Sequence, residues 1–119
     1  MEKITVEIGS IAALSSGQVQ RNLKKVEFVA EELASRTEFG RSDQTGALTD
    51  TRGTTETLYK TEDGRYVVYV EEWSKWQGEP NRYRLVEVSE ADLDATGPYA
   101  ALGKAAGLGR PLTLDEALA

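Results

Sequence analysis

The chain predicts an α+β fold: a mainly antiparallel β-sheet, with a meander of three central strands plus N-terminal strands and short C-terminal helices on one face. Three observations predict it. Residues 57–73, TLYKTEDGRYVVYVEEW, hold two runs rich in β-branched and aromatic residues around Glu62-Asp63-Gly64, which is the pattern of a hairpin. A third run of the same kind, RYRLVEV at 82–88, follows a short polar connection. From Ser89 onward the alternation stops and helix starts and stops take over.

In chain order, Ile4-Thr5-Val6-Glu7-Ile8 alternates cleanly and reads as a half-buried strand ending at Gly9. Ile11, Ala12 and Leu14 suggest a short helix, which Ser15-Ser16-Gly17 breaks. Residues 24–35, KKVEFVAEELAS, satisfy two periods. Val26, Phe28 and Ala30 alternate as in a strand, while Val26, Val29, Ala30 and Leu33 fall at helical spacing. The β-prone Val-Glu-Phe-Val core favours a strand through about Val29, with Glu31-Glu32 either continuing it or opening a helical turn. Residues 40–54, GRSDQTGALTDTRGT, read as a long loop or a β-arm.

The hairpin proper pairs Thr54–Thr61 with Arg65–Trp73. Its Glu-Asp-Gly connection suits a type I turn closed by a left-handed glycine. On the second strand Tyr66, Val68 and Val70 point one way, and Val67, Tyr69 and Trp73 the other. A strand apolar on both faces is covered on both sides. The C-terminal helices supply one cover. The N-terminal strands, a second subunit or another protein must supply the other. Those helices are signalled by Ser89 with acids in the following turn, by Pro98 and Gly107 around PYAALGKAAG, and by the capping box Thr113-Leu-Asp-Glu116 ahead of Leu114–Leu118.

At 119 residues the chain fits a single domain, residues 1–119, and is long enough to bury a core without staples. It contains no cysteine and no histidine. Disulfides, thiolate nucleophiles and imidazole bases or ligands are thereby excluded. No apolar run reaches the roughly 18 residues of a membrane span, so no membrane partner is expected. The charged start, Met1-Glu2-Lys3, lacks a secretory core and points to a cytoplasmic protein. Net charge is −6, with 8 basic and 9 acidic groups in residues 1–60 and 6 and 11 in residues 61–119. Phosphate neutralisation needs clustered cations, and Arg21 with Lys24-Lys25 is too short a cluster, so direct nucleic-acid binding is not expected. The acidity serves solubility or presents an acidic face to a basic partner.

No constellation spells out a catalytic set. Asp92-Leu-Asp94-Ala-Thr96-Gly97 matches the first half of an EF-hand loop, but Gly103 stands where its bidentate glutamate belongs. Gly97–Ala105 imitates a phosphate loop with the spacing off by one and alanine in place of the magnesium-binding hydroxyl. Glu31-Glu32 and Glu71-Glu72 point to opposite faces if they lie on strands, and read as solvated charges. Catalytic residues, cofactor and metal are therefore each expected to be none. The candidate contact residues are Trp73 and Trp76 at a strand end, Tyr66, Tyr69 and Tyr83 on the meander, and Leu114 and Leu118 on the last turn. Tryptophan is enriched at interaction hot spots.

Lys24-Lys-Val-Glu-Phe28-Val-Ala-Glu-Glu-Leu33, Thr55-Glu-Thr-Leu-Tyr59-Lys-Thr-Glu-Asp-Gly64-Arg-Tyr, the Trp-bearing strand and the terminal Leu114-Asp115 together resemble the C-terminal module of the EXLDI family, a bacterial group. The resemblance covers about residues 20–116. The terminal motif matches at Leu114 and Asp115, while Leu112 replaces its glutamate and Glu116 its isoleucine. Some members carry a ribbon-helix-helix-like N-terminus. Here Ile4–Ile8 imitates its strand, without two following helices. The resemblance implies a small bacterial accessory or regulatory protein and supplies no catalytic residue.

The expectation is thus a non-enzymatic protein acting through protein–protein contact, with itself as a homo-oligomer or with another protein. Two alternatives stand beside it. One is an acidic inhibitor or nucleic-acid mimic on a basic partner. The other is a small-molecule sensor with an aromatic pocket between sheet and helices, lined by Tyr66, Tyr69, Trp73 and Tyr83.

Overall fold

The computed structural model describes residues 1–13, 19–41, 48–74 and 80–119. Five strands, β1 (Glu2–Ala13), β2 (Val19–Arg41), β3 (Leu48–Thr61), β4 (Tyr66–Ser74) and β5 (Asn81–Val88), pair in chain order and close into a barrel. A 3-10 turn (Ala91–Leu93) and two short helices, α1 (Ala100–Ala105) and α2 (Leu114–Leu118), follow. The mainly antiparallel sheet with short C-terminal helices is the architecture the sequence predicts.

The N-terminal part differs from its sequence reading in extent. β1 does not stop at Gly9, and Ile11 and Ala12 belong to the strand rather than to a helix. The doubly periodic stretch at 24–35 is strand throughout, inside a β2 that runs on to Arg41. Of the 40–54 segment, read as a loop or a β-arm, Gly40 and Arg41 belong to β2 and residues 48–54 to β3. Leu14 and residues 42–47 lie outside the described residues.

Antiparallel closure of five strands in chain order poses a parity problem. Consecutive antiparallel strands alternate in direction, so the first and fifth should run parallel. Yet β1 and β5 pair antiparallel, Gly9 opposite Tyr83, Ser10 opposite Arg82 and Ile11 opposite Asn81. The length of β2 resolves it. Residues 19–30 pair with β1, residues 30–41 pair with β3, and Ala30 alone has partners on both sides. β2 therefore acts as two strands that change course at a corner. Ala30 is fully buried there, and the register with β3 slips between Glu32 and Ala34. Such a bulge bends the strand that carries it.

Gly9 sits where β1 is paired on both sides, opposite Leu23 of β2 and Tyr83 of β5. Its φ is 123°, and a Cβ there would lie 1.9 Å from the Asn22 carbonyl oxygen. No other residue type fits this backbone and this approach. The β3–β4 turn is closed by Gly64, at φ 87°, whose N–H donates to the Thr61 carbonyl.

The two apolar faces of β4 each receive a cover. Val68 and Val70 pack with Leu58, Val88, Leu93 and Leu102 into one cluster, closed by the 3-10 turn and α1. Tyr69 packs with Val6, Ala30 and Tyr59 into a second, and Ile4, Ile8, Val26 and Phe28 lie against it. Of the covers the sequence left open for that face, the N-terminal strands are the one in place. Their hairpin folds over the sheet and makes it the barrel interior.

Candidate functional site

Two surfaces stand out from this frame, and they lie on opposite sides of the sheet. The first is C-terminal. Ser89 and Asp92 cap the 3-10 turn reciprocally: the Ser89 N–H donates to the Asp92 carboxylate at 2.9 Å, and the Asp92 N–H to the Ser89 hydroxyl at 3.3 Å. Asp94 accepts the Arg110 N–H at 2.6 Å. The carboxylates that imitate an EF-hand thus fasten a turn. Among the described residues no group of three or more acidic side chains comes together to hold a metal ion.

α2 is well made and poorly seated. Its capping box is complete: the Glu116 N–H donates to the Thr113 hydroxyl and the Thr113 N–H to the Glu116 carboxylate. Arg110 clasps the same carboxylate at 2.9 Å. That hydrogen bond first, and the Thr113 backbone and hydroxyl after it, hold the Glu116 carboxyl down at about 2. Yet α2 buries nothing. Leu114 and Leu118 are 74% and 75% exposed, and Leu112 just before them is 47% exposed. Beside them runs an apolar cleft of about 580 Å³, lined among others by Leu93, Ala100, Ala101, Lys104 and Leu108.

The second surface is the open end of the barrel interior. Alternation puts Phe39 of β2, Gly53 and Thr55 of β3, Glu71 and Trp73 of β4 and Tyr83 of β5 on this face. The register sets Phe39 opposite Gly53, Gly53 opposite Trp73, Thr55 opposite Glu71, and Glu71 opposite Tyr83. Trp73 lies across Gly53, where a Cβ would come within 2.7 Å of the indole ring. Its ring N–H donates to the Thr55 hydroxyl at 3.1 Å, which in turn meets the Thr37 hydroxyl at 3.0 Å. Phe39 meets the indole edge-on at 6.0 Å. Deeper in, Tyr69 stacks on Tyr83 at 6.4 Å and donates its hydroxyl to the Glu7 carbonyl at 2.6 Å. Burial, and then the Glu71 charge, push the Tyr69 phenol up to about 12. The Tyr59 phenol is raised by burial and then by Glu32 and Glu71, and burial raises the Glu71 carboxyl.

The residues singled out in the sequence therefore part company. Tyr69, Trp73 and Tyr83 share the interior face. Tyr66 packs on the helix side, with Lys60 5.8 Å from its ring, so the four aromatic residues do not line one pocket between sheet and helices. Trp76 lies outside the described residues. Leu114 and Leu118 share the exposed C-terminal patch. Phe39 is not singled out by the sequence, Leu112 enters only as a mismatch to the terminal EXLDI motif, and Glu71 reads with Glu72 as a solvated charge. Glu71 was within reach, because alternation already separates it from Glu72 and places it between Tyr69 and Trp73.

The acidic surface is broken up by arginines. Arg84 meets Glu72 at 2.7 Å, Arg36 meets Glu56 at 3.5 Å and Glu38 at 3.6 Å, and Arg65 meets Asp63 at 3.0 Å and Glu87 at 3.5 Å. Apart from Arg36–Glu38, which lies along β2, these are cross-strand and turn ion pairs of the kind that hold sheet registers. They do not form an uninterrupted anionic face. Compared with protein-family models, with curated proteins and with solved structures, the chain matches none.

Proposed function

We propose that this protein acts by protein–protein contact, in the first place with a second copy of itself, in an accessory or regulatory and non-catalytic role. One observation carries the reading: a capped helix that buries none of its residues and holds Leu114 and Leu118 in solvent, next to an apolar cleft. Isolated helices shorter than about 12 residues are marginal in water. α2 has five residues, so it gains from docking against something. Leu112, Leu114 and Leu118 form the anchor side of such a contact, and the cleft between α1 and the 107–112 segment the receiving side. Lys104 at the cleft suits a partner segment bearing an acid, as α2 itself does with Asp115. The bacterial accessory setting implied by the EXLDI resemblance agrees with this mode of action.

The test is the molar mass in solution of the full chain, by light scattering on an eluting peak, beside the Leu114→Ser/Leu118→Ser variant. The expected result is a dimer or larger species for the parent and a monomer for the variant, with unchanged far-ultraviolet circular dichroism. A parent chain that stays monomeric at its highest soluble concentration overturns the self-association reading.

A further inference from the structure

The barrel closes through a short seam. β1 pairs with β5 at Gly9, Ser10 and Ile11 alone, whereas it pairs with β2 along its whole length without a bulge. Over Glu2–Ile8, β1 therefore has β2 on one side and, among the described residues, no strand on the other. Hydrogen-bond parity shows which groups face that free edge. The Val29 carbonyl accepts the Glu62 N–H, so it turns away from β1. Lys3 stands opposite Val29. In an antiparallel pair, two opposed residues either bond each other or both turn away. The N–H and C=O of Lys3 thus turn outward, and at period two so do those of Thr5 and Glu7. The Glu7 carbonyl accepts the Tyr69 hydroxyl from beyond the β1–β2 ladder, which fits this parity. Gly9, next in the series, turns the same way and meets Tyr83 there.

An open strand edge is a template for a further strand. The sequence of β1 specifies which one. Turned about a two-fold axis at Thr5, Lys3-Ile4-Thr5-Val6-Glu7 matches itself: Lys3 faces Glu7, Ile4 faces Val6, and Thr5 faces Thr5. The side chains sort by face in the same way. Lys3, Thr5 and Glu7 are exposed, while Ile4 and Val6 belong with the interior cluster. Opposite charges and paired threonines set directly across a ladder are stabilising. A lysine on a free edge ordinarily keeps a second strand away, and here the symmetric register sets a glutamate against it. We propose that β1 is a self-pairing edge, joining antiparallel to β1 of a second copy about a two-fold axis at Thr5. Thr5 then donates to and accepts from its counterpart. The Lys3 N–H donates to the Glu7 carbonyl of the other copy, and the Glu7 N–H to its Lys3 carbonyl. A carbonyl oxygen has two lone pairs, so Glu7 keeps Tyr69 as well. One strand-to-strand contact lies at the low end of interface sizes and is transient by itself, so trapping reads it rather than molar mass. It goes beyond the C-terminal contact, lies on a different element and does not depend on it.

The experiment is disulfide trapping in the full chain, which has no cysteine of its own. Opposed residues of a hydrogen-bonded antiparallel pair have Cα atoms about 5.5 Å apart, a span that a disulfide bridges. Under mild oxidation Thr5→Cys should form a covalent dimer at least about tenfold faster than Glu62→Cys, an exposed control in the β3–β4 turn, because pairing gives the two thiols a high effective concentration. Lys3→Cys and Glu7→Cys should each stay at the control rate alone and crosslink to each other when mixed, because Lys3 faces Glu7 of the other copy and not its own counterpart. The substituted residues are all exposed, so none of these changes empties the core. The same pattern is expected in the Leu114→Ser/Leu118→Ser background, which lacks the C-terminal contact. Thr5→Cys no faster than Glu62→Cys, Lys3→Cys linking to itself as fast as Thr5→Cys does, or trapping lost with Leu114 and Leu118 each overturn the proposal.

Discussion

The two faces of the β3–β4–β5 sheet are built from alternate residues of the same strands, and they are filled with different chemistry. On the helix side, Leu58, Val68 and Leu102 are wholly excluded from solvent, and Leu93 and Val88 nearly so. Every side chain of that cluster is aliphatic. On the barrel side the buried set is Val6, Ala30, Tyr59 and Tyr69 with Thr57, and the face runs out into Thr55, Glu71 and Trp73. Aliphatic cores are tolerant and strong, because nothing in them needs a partner. An aromatic and hydroxylic interior must satisfy each polar atom, and it repays that demand by being able to recognise something. Among the described residues no buried side-chain nitrogen or oxygen lacks a hydrogen bond. The helix face is packed with aliphatic side chains, and the interior face with aromatic and hydroxyl-bearing ones.

The largest expected effect tests the first half of that contrast. Leu58→Ala empties a fully buried position at the centre of the helix-side cluster. Denaturant unfolding should show a loss of about 2–5 kcal/mol. The matching change on the barrel side, Val6→Ala, removes only about two methylenes' worth of burial and should cost about 1–2 kcal/mol. Equal losses would mean that the interior is packed as tightly as the helix face.

Gly9→Ala comes next and acts on the barrel side alone. An alanine at φ 123° is strained, and its Cβ meets the Asn22 carbonyl at 1.9 Å. The backbone has to shift, at a cost of about 2–3 kcal/mol. The change should fall on β1 where it runs between β2 and β5. Hydrogen exchange should quicken at the Ile11 and Tyr83 amides, while Val68 and Val70 keep their protection. Uniform quickening would instead show that both faces open as one unit.

Much of this division was legible in the sequence. Period-two alternation along Tyr66–Val70 already separated the two faces, and the capping signals at Ser89 and Thr113 located the turn and α2. Gly9 misled, since a glycine after an alternating run reads as a stop. Here it is a close approach within a continuing strand. The 24–35 stretch fits helical and strand periods equally, and only its long-range pairing with β1 and β3 decides. The corner in β2 could not be read at all, because it follows from which strands pair on each side of Ala30. Glu71 was dismissed together with Glu72 as a solvated charge. Alternation separates the two, but that Arg84 reaches Glu72 diagonally across β5, while Thr55 and Tyr83 stand opposite Glu71, belongs to the register.

The smallest effect is the most specific to the interior. Tyr69→Phe removes the hydroxyl that donates to the Glu7 carbonyl and ties β4 to β1. At neutral pH the loss should be about 1 kcal/mol, one hydrogen bond's net worth with an acceptor left bare. The pH dependence carries more information. The folded Tyr69 phenol titrates at about 12, above the roughly 10 of an unfolded tyrosine. A raised pKa means that the folded state holds the proton more tightly. This contribution is therefore complete below about pH 10 and drains away as pH climbs toward 12. Tyr59, raised for the same reasons, follows the same direction. Thermal unfolding across pH 8–12 should show the parent losing stability steeply. Tyr69→Phe should start lower and fall less, keeping the slope that Tyr59 contributes. Parallel curves for the two proteins would place the alkaline sensitivity outside the barrel interior and sever it from the burial of Tyr69.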